Sequence, residues 1–286
     1  MGKVNILHLS DMHFGVEVND SCPVNRKQDH ENALVKLKNK LKTIPDQYPN
    51  WKPDVIAISG DIGWLASDTD YQVAAGFLKD ILDYFDLSAE DIILCPGNHD
   101  LVRANNINLF NIEKREHAIT VLALDRLQYR CEPFEAFGKF AQNMHIPPLI
   151  NSAQGHEALP YLYGMRDHKG LRFMVFNTAW NCRGDEDMRH LWIGESLVKD
   201  VETLSARVPP KPLTVTLLHH PFAHLNDSEQ RIYEDYPVVQ QIILNMSDVI
   251  LTGHVHGKIG RSDCLNGQTR VFTSSAAYDK NSYEKG

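Results

Sequence analysis

The chain has 286 residues, of which 43% are hydrophobic and 23% charged, a composition typical of a globular protein and unlike that of a disordered one. It contains no run of about 18 apolar residues, which excludes a membrane-spanning helix, and residues 1–10 resemble a strand rather than a signal peptide. The net charge of −8 disfavours a general nucleic-acid binder. The five cysteines form no Cys-x-x-Cys pair, so we expect a reducing cytoplasm and neither a disulfide framework nor a zinc ribbon.

The first hundred residues alternate between short apolar runs and amphipathic segments. Their periodicity predicts strands at 4–9, 54–59 and 91–94 and helices at 29–44 and 71–85. This order of strand, helix, strand, helix and strand is typical of an α/β fold with a partly parallel sheet.

Residues 101–146 interrupt that alternation and predict two or three helices, which we interpret as an insertion that covers one end of the sheet. The remaining elements are a helix at 195–207, a helix near 228–245, strands at 213–218 and 249–252, and hairpins over 161–177 and 258–272. No linker divides the chain, so residues 1–286 are expected to form a single domain. The polar end after residue 276 is interpreted either as a frayed tail or as a sequence cut before a final pair of strands.

Five short polar segments each follow directly on a predicted strand. They are Ser10-Asp11-Met12-His13, Gly60-Asp61, Gly97-Asn98-His99-Asp100, His219-His220-Pro221 and Gly253-His254-Val255-His256. Ligand sites in open α/β sheets lie beyond the carboxyl ends of the strands, so these segments predict one shared site. The glycines at 60, 97 and 253 are expected to let the backbone turn sharply there.

The residue types in these segments indicate metal ions. Imidazoles mixed with carboxylate and amide oxygens, and no thiolate, suit Mn, Fe, Zn, Co or Ni. The set is too large for one ion and suits two ions that share a carboxylate. Any one segment alone is a common turn, and the ordered set at strand ends carries the interpretation.

The ordered set resembles the calcineurin-like metallophosphoesterase superfamily over residues 3–275. The resemblance implies a four-layer α/β/β/α sandwich with two divalent transition-metal ions at the carboxyl ends of the strands, manganese being the first choice. The implied ligands are Asp11, His13 and His256 for one ion, Asn98, His219 and His254 for the other, and Asp61 for both. His219 is preferred to His220 because related sequences place the ligand two residues before the proline.

The resemblance also implies an activity. It predicts a dinuclear phosphoesterase in which a metal-bridging hydroxide attacks phosphorus. His99 would be the outer-sphere acid that protonates the leaving oxygen or steadies the phosphate, and Asp100 would have a structural role. Gly-Asn-His is followed here by Asp100 rather than glutamate, which resembles the bacterial phosphodiesterase and nuclease-like branch. A phosphodiesterase is therefore expected, with a phosphoester as substrate, a nucleotide being one candidate, and no membrane partner.

Two alternatives stay open. A metal-dependent DNA or RNA nuclease would need a basic groove, for which the insertion offers Lys114, Arg115, Arg126 and Arg130. The chain could instead be the catalytic head or scaffold module of a larger multidomain protein.

A few other residues have weaker interpretations. Arg103, Arg183 and Arg189 could contact a substrate phosphate, although solvated positions are the simpler interpretation. Trp64 and Trp180 are expected to be buried, and His224 to lie on the surface or in a loop.

Overall fold

The structure is a computed structural model that describes residues 2–49, 51–103, 112–184, 187–208, 212–230, 238–255, 261–265 and 267–275. Its first sheet contains β1 (Ile6–Leu9), β2 (Val55–Ser59) and β3 (Ile92–Cys95), which are parallel and adjacent in that order. The helices α1 (Val24–Gln47) and α2 (Asp68–Phe85) connect them. The predicted alternation and the parallel sheet are therefore confirmed.

Helix α1 begins earlier than the apolar periodicity predicted. Its buried side contains Leu34 and Leu41, which the sequence pattern detects, but it continues toward the N-terminus through His30. Arg26, one turn before His30, does not register as part of an apolar stripe, so the prediction began only at residue 29.

The second sheet is mixed and has the strand order β4-β5-β6-β7-β9-β8. Its strands are β4 (Tyr163–His168), β5 (Leu171–Phe176), β6 (Thr214–Leu217), β7 (Val249–Thr252), β8 (Arg261–Leu265) and β9 (Thr269–Thr273). The pairs β4/β5 and β8/β9 are antiparallel, as the two predicted hairpins require, and the other neighbours are parallel.

The two sheets pack face to face through apolar side chains. One cluster joins them, and its fully buried members are Val55, Ala57 and Cys95 from the first sheet and Phe173, Val175 and Leu217 from the second. A second, larger cluster lies between the sheets and the helices. This arrangement confirms the predicted sandwich of sheets with helices outside them.

The remaining helices are short. They are α3 (Arg115–Val121), α4 (Glu135–Asn143), α5 (Leu159–Leu162), α6 (Glu195–Ala206), α7 (Asp227–Gln230) and α8 (Val239–Met246). One helix was predicted near 228–245, whereas α7 and α8 are separate, and residues 231–237 between them lie outside the described ranges. Crossing a bilayer would require a longer and more apolar helix than any that the structure describes.

The described part of the insertion is helical, as predicted. Its helix α4 packs on α2, where the rings of Tyr71 and Phe140 stack with centroids 4.9 Å apart. This part of the insertion therefore extends the outer helical layer, and the expected cover over one end of the sheet stays a prediction.

Candidate metal centre

The loops that follow β1 and β2 run side by side beyond the sheet. The backbone N–H of Asp11 donates to the carbonyl of Gly60 and that of His13 to the carbonyl of Asp61, both at 3.0 Å. The parallel pairing of the two strands thus continues into their loops. It brings the side chains of Asp11, His13 and Asp61 to one place.

Four of the predicted site residues have left-handed backbones. The φ angles are 54° for Asp11, 48° for His13, 53° for Asp61 and 67° for His254. This conformation is uncommon outside glycine and costs about 1–3 kcal/mol at each position. Such strain persists where the surrounding structure enforces it, and it concentrates at functional sites.

Asn98, His219 and His254 meet at a single oxygen atom. Asn98 Oδ1 lies 3.0 Å from both His219 Nε2 and His254 Nδ1. His219 Nδ1 donates to the carbonyl of Ser59 at 2.8 Å, so its Nε2 faces the site. That Nε2 also lies 3.3 Å from Asp61 Oδ1. Side chains from both sheets therefore converge here.

His220 has different partners. Its Nδ1 lies 2.7 Å from Thr178 Oγ1, and its backbone N–H donates to the same oxygen at 3.1 Å. The ring is nevertheless close to the site, because potential ligand atoms of His219, His220 and His254 lie within 4.8 Å of one another. The contacts with Asn98 and Asp61 favour His219 as the ligand, and the choice stays a prediction.

Asp61 belongs to two further groups of potential ligands. One contains Asp11 and His219, the other His13 and His99, and within each group the candidate atoms lie within 4.8 Å of one another. Burial raises the pKa of Asp61, but His219, His99 and His13 together lower it well below its usual value. Asp61 is therefore a buried anion shared by two clusters. His256, the remaining predicted ligand, lies outside the described residues.

The donor set fits a divalent cation. The oxygens of Asn98 and Asp61 and the Nε2 of His219 face one another, and neutral His219 would bring lone pairs together there. Burial lowers the pKa of His219, but the Asp61 carboxylate more than offsets this and raises the pKa to about 9. The cluster thus needs a proton or a cation at its centre, and nitrogen and oxygen donors without thiolate suit a transition-metal ion.

His99 is held on several sides. Its backbone N–H donates to Asp61 Oδ1 at 2.8 Å, and its Nδ1 donates to the carbonyl of Trp64 at 2.8 Å. Its ring stacks on the Trp64 indole with centroids 4.7 Å apart. The opposite nitrogen, Nε2, lies 3.4 Å from a terminal nitrogen of Arg103. Trp64 is partly exposed rather than buried as expected, because it forms the wall against which His99 stacks.

Asp100 joins the loops that follow β2 and β3. Its carboxylate accepts the backbone N–H groups of Ile62, Gly63 and Gly97 at 2.9–3.1 Å and the Tyr71 hydroxyl at 3.2 Å. Burial, followed by the charge of Asp61, raises the pKa of Asp100 to about 7, although the three amides oppose the shift. These contacts support the structural role that was expected for Asp100.

Glycine is required at the three strand ends for two different physical reasons. Gly60 has a φ of 98°, which fits the expected sharp turn. Gly97 and Gly253 are not left-handed, so the turn argument is wrong for them. A Cβ at Gly97 would overlap Asp61 Oδ1, and one at Gly253 would overlap Ser10 Oγ. Their role is to let two loops approach closely.

The structure adds a residue that the sequence did not assign to the site. His224 follows the His219-His220-Pro221 segment in a short 3₁₀ turn, and its ring centroid lies 4.8 Å from that of His254. Its nearness in sequence to His219 was the only available signal. Arg189 instead pairs with Asp227 at 2.5 Å and Arg183 is exposed, as expected of solvated residues. Trp180 is 2% exposed, so its predicted burial is confirmed.

A family model described as calcineurin-like phosphoesterase matches residues 4–258. The chain belongs to this family. The predicted resemblance is thereby confirmed, and the predicted enzyme class, a metal-dependent phosphoric ester hydrolase, is that of the calcineurin-like phosphoesterases. No curated protein matches the sequence significantly.

Solved structures share the fold at low sequence identity. A dimetal phosphatase from Danio rerio is 10% identical with a TM-score of 0.52, and the match covers 96% of this chain and 88% of that one. A purple acid phosphatase from yellow lupin is 14% identical with a TM-score of 0.51, over 96% of this chain and 44% of the lupin chain. A 5'-nucleotidase from Candida albicans is 14% identical with a TM-score of 0.50, and the match covers 96% of this chain and 46% of the nucleotidase chain. The chain thus spans less than half the length of the last two proteins, and identities this low establish the fold alone.

The close approach at Gly97 yields a prediction. Gly97→Ala should lower the free energy of unfolding by more than about 1 kcal/mol and reduce metal binding, because the added methyl group displaces Asp61. Gly76→Ala is the matched control, because Gly76 lies within α2 with open space around its Cβ position. This variant's free energy of unfolding should rise by about 0.5–1 kcal/mol. Urea unfolding and metal analysis measure both effects. A Gly97→Ala protein with the stability and metal content of wild type would contradict the packing argument.

Proposed function

We propose that this calcineurin-like phosphoesterase hydrolyses phosphate esters with two divalent metal ions and prefers phosphodiesters. The observation that carries the proposal is the convergence of donor atoms from both sheets on Asn98 and Asp61. The proposed ligands are Asp11, His13 and His256 for one ion and Asn98, His219 and His254 for the other, with Asp61 shared. Manganese is the first choice, and Fe, Zn, Ni and Co suit the same donors.

When bound, two such ions supply a water of lowered pKa and neutralise charge that develops on the phosphate. The chain's own residues orient the reaction. The backbone N–H of His99 holds Asp61 Oδ1 in place. Trp64 fixes the plane of the His99 imidazole, whose Nε2 is the nitrogen proposed to face a substrate. The Arg103 guanidinium beside that edge adds positive charge where phosphate oxygens would lie.

The preference for diesters is supported by the surface next to His99. The partly exposed indole of Trp64 is followed by Leu65, whose exposed fraction is 56%. A second ester group, such as a nucleoside, could contact the exposed Leu65 side chain beside this indole. Of the basic residues that the nuclease alternative would use, Arg115 is already paired with Glu195 at 2.8 Å.

A metal and substrate panel tests the proposal. Purified protein should bind about two ions per chain and hydrolyse bis-p-nitrophenyl phosphate faster than p-nitrophenyl phosphate when loaded with Mn, Ni, Co or Zn. Cyclic nucleotides and single- and double-stranded DNA complete the panel. Metal content near zero in folded protein would contradict the metal assignment. Faster monoester hydrolysis would overturn only the diester preference.

The two adjacent histidines should behave differently. His219→Ala should abolish activity and lower occupancy of the second ion, because it removes a proposed ligand. His220→Ala should keep both ions, with a smaller loss of rate, because its Nδ1 contacts Thr178. Elemental analysis and turnover of the two variants side by side decide the question, and the opposite pattern would show that His220 is the ligand.

His99 should act on substrate without holding metal. His99→Ala should lower the turnover rate by about 10²–10⁴-fold, the usual contribution of a general acid or base, while metal content stays near that of wild type. The loss should be smaller for p-nitrophenyl esters, whose leaving groups need little protonation, than for alkyl esters. An equal loss for both would indicate that His99 steadies a phosphate oxygen, and loss of metal would make it a ligand or a structural support.

A further inference from the structure

The first turns of α1 carry two basic residues on the side of the helix that faces the candidate metal centre. Buried helix positions are normally apolar, yet Arg26 and His30, one turn apart, precede the buried Leu34 and Leu41. Each of the two contacts a different part of the site.

His30 fastens the loop that carries Asp11 and His13. It is fully buried, its Nε2 donates to the carbonyl of Met12 at 2.8 Å, and its Nδ1 lies 2.9 Å from Glu17 Oε2. The same Glu17 oxygen accepts the backbone N–H of Gly15 at 3.2 Å. Met12 lies between the two left-handed residues and Gly15 follows them, so this network holds the strained segment at its middle and just after its end.

Arg26 lies against Trp64, on which His99 stacks. Its guanidinium carbon is 4.5 Å from the centre of the Trp64 ring. Its Nε and Nη2 are buried and have no hydrogen-bond partner among the residues that the structure describes. A cation in the first turn of a helix also opposes the helix dipole. The position of Arg26 therefore destabilises the helix itself, and the cation–π contact with Trp64 offsets at least part of that free-energy cost.

We propose that Arg26 and His30 are two separate positioning residues for catalysis. His30, with Glu17, sets the loop of Asp11 and His13 for metal binding. Arg26 sets Trp64 and, through it, the imidazole of His99. The inference rests on the proposed function. It predicts that His30 affects metal affinity, whereas Arg26 affects the turnover rate.

The His30 half is tested by metal affinity. His30→Leu fills similar space but removes both polar contacts, and it should weaken binding of the more affected ion by about 10–100-fold, as loss of outer partners of metal ligands does. Glu17→Gln keeps an acceptor for His30 and should weaken binding less. Calorimetric titration of apoprotein with Mn²⁺ measures both. At saturating Mn²⁺, most of the turnover of His30→Leu should return.

The Arg26 half is tested by turnover. Arg26→Met should leave Mn²⁺ affinity within about twofold of wild type and lower kcat by about 10–100-fold, the scale of effect of a small misplacement of a catalytic group, with little change in KM for bis-p-nitrophenyl phosphate. Arg26→Lys should restore little, because an ammonium lacks the planar face that stacks on an indole.

Tyr163→Phe is the control for general destabilisation. It removes a buried hydrogen bond to Asp200, 3.2 Å long, that involves no proposed site residue. It should lower the melting temperature and change neither Mn²⁺ affinity nor kcat. The inference would be overturned if variants of Arg26 and His30 changed Mn²⁺ affinity and kcat together, in proportion to lost stability. It would also be overturned by unchanged Mn²⁺ affinity in His30→Leu or by unchanged kcat in Arg26→Met. If the wild-type protein binds no metal, both the proposed function and this inference are wrong. If the wild-type protein binds two ions and the variants behave like it, only this inference is wrong.

Discussion

Asp61 is a carboxylate 1% exposed to solvent, and burying an ionised carboxylate is costly unless cations or hydrogen-bond donors compensate it. The compensation comes from the ends of other strands: His219 from the second sheet, and the backbone N–H of His99 from the loop after β3. Gly97 lacks a side chain because that oxygen occupies the space of its Cβ. The positions of the loops after β2, β3 and β6 are thus linked through one buried charge.

Asp100 shows how a second carboxylate is accommodated close to the first. Two anions in one buried site repel each other, and the charge of Asp61 is one cause of the raised pKa of Asp100. The structure separates their environments. Asp61 faces imidazoles and the open site, whereas Asp100 faces the amides of Ile62, Gly63 and Gly97. The environment of each carboxylate therefore fits a different role, with Asp61 facing the proposed position of a cation and Asp100 joining the loops.

The sequence predicted the fold and the convergence of polar residues well, because both depend on local patterns. Apolar runs that end in Gly-Asp or Gly-Asn-His mark strand ends, and parallel strands bring those ends together. What it missed depends on tertiary contacts. The contacts of His30 with Met12 and of Arg26 with Trp64 are formed by the packing of α1 in the folded structure, so the sequence pattern did not indicate them. The close approach at Gly97 and Gly253 could not be distinguished from a sharp turn. The nearness of His224 to His219 in the sequence did not by itself indicate that the His224 ring would contact His254.

The candidate metal centre lies on the seam between the two sheets, with Asp61 and Asn98 on one side and His219 and His254 on the other. A cation held there would act as a cross-link between two halves that also meet through apolar packing and through hydrogen bonds such as that from His219 to the carbonyl of Ser59. Since a ligand that binds only the folded state stabilises it by about 2.7 kcal/mol at a hundredfold excess over Kd, metal supply would also govern how long the folded chain survives. Scarcity of the ion would then reduce the amount of protein in addition to the activity of each molecule.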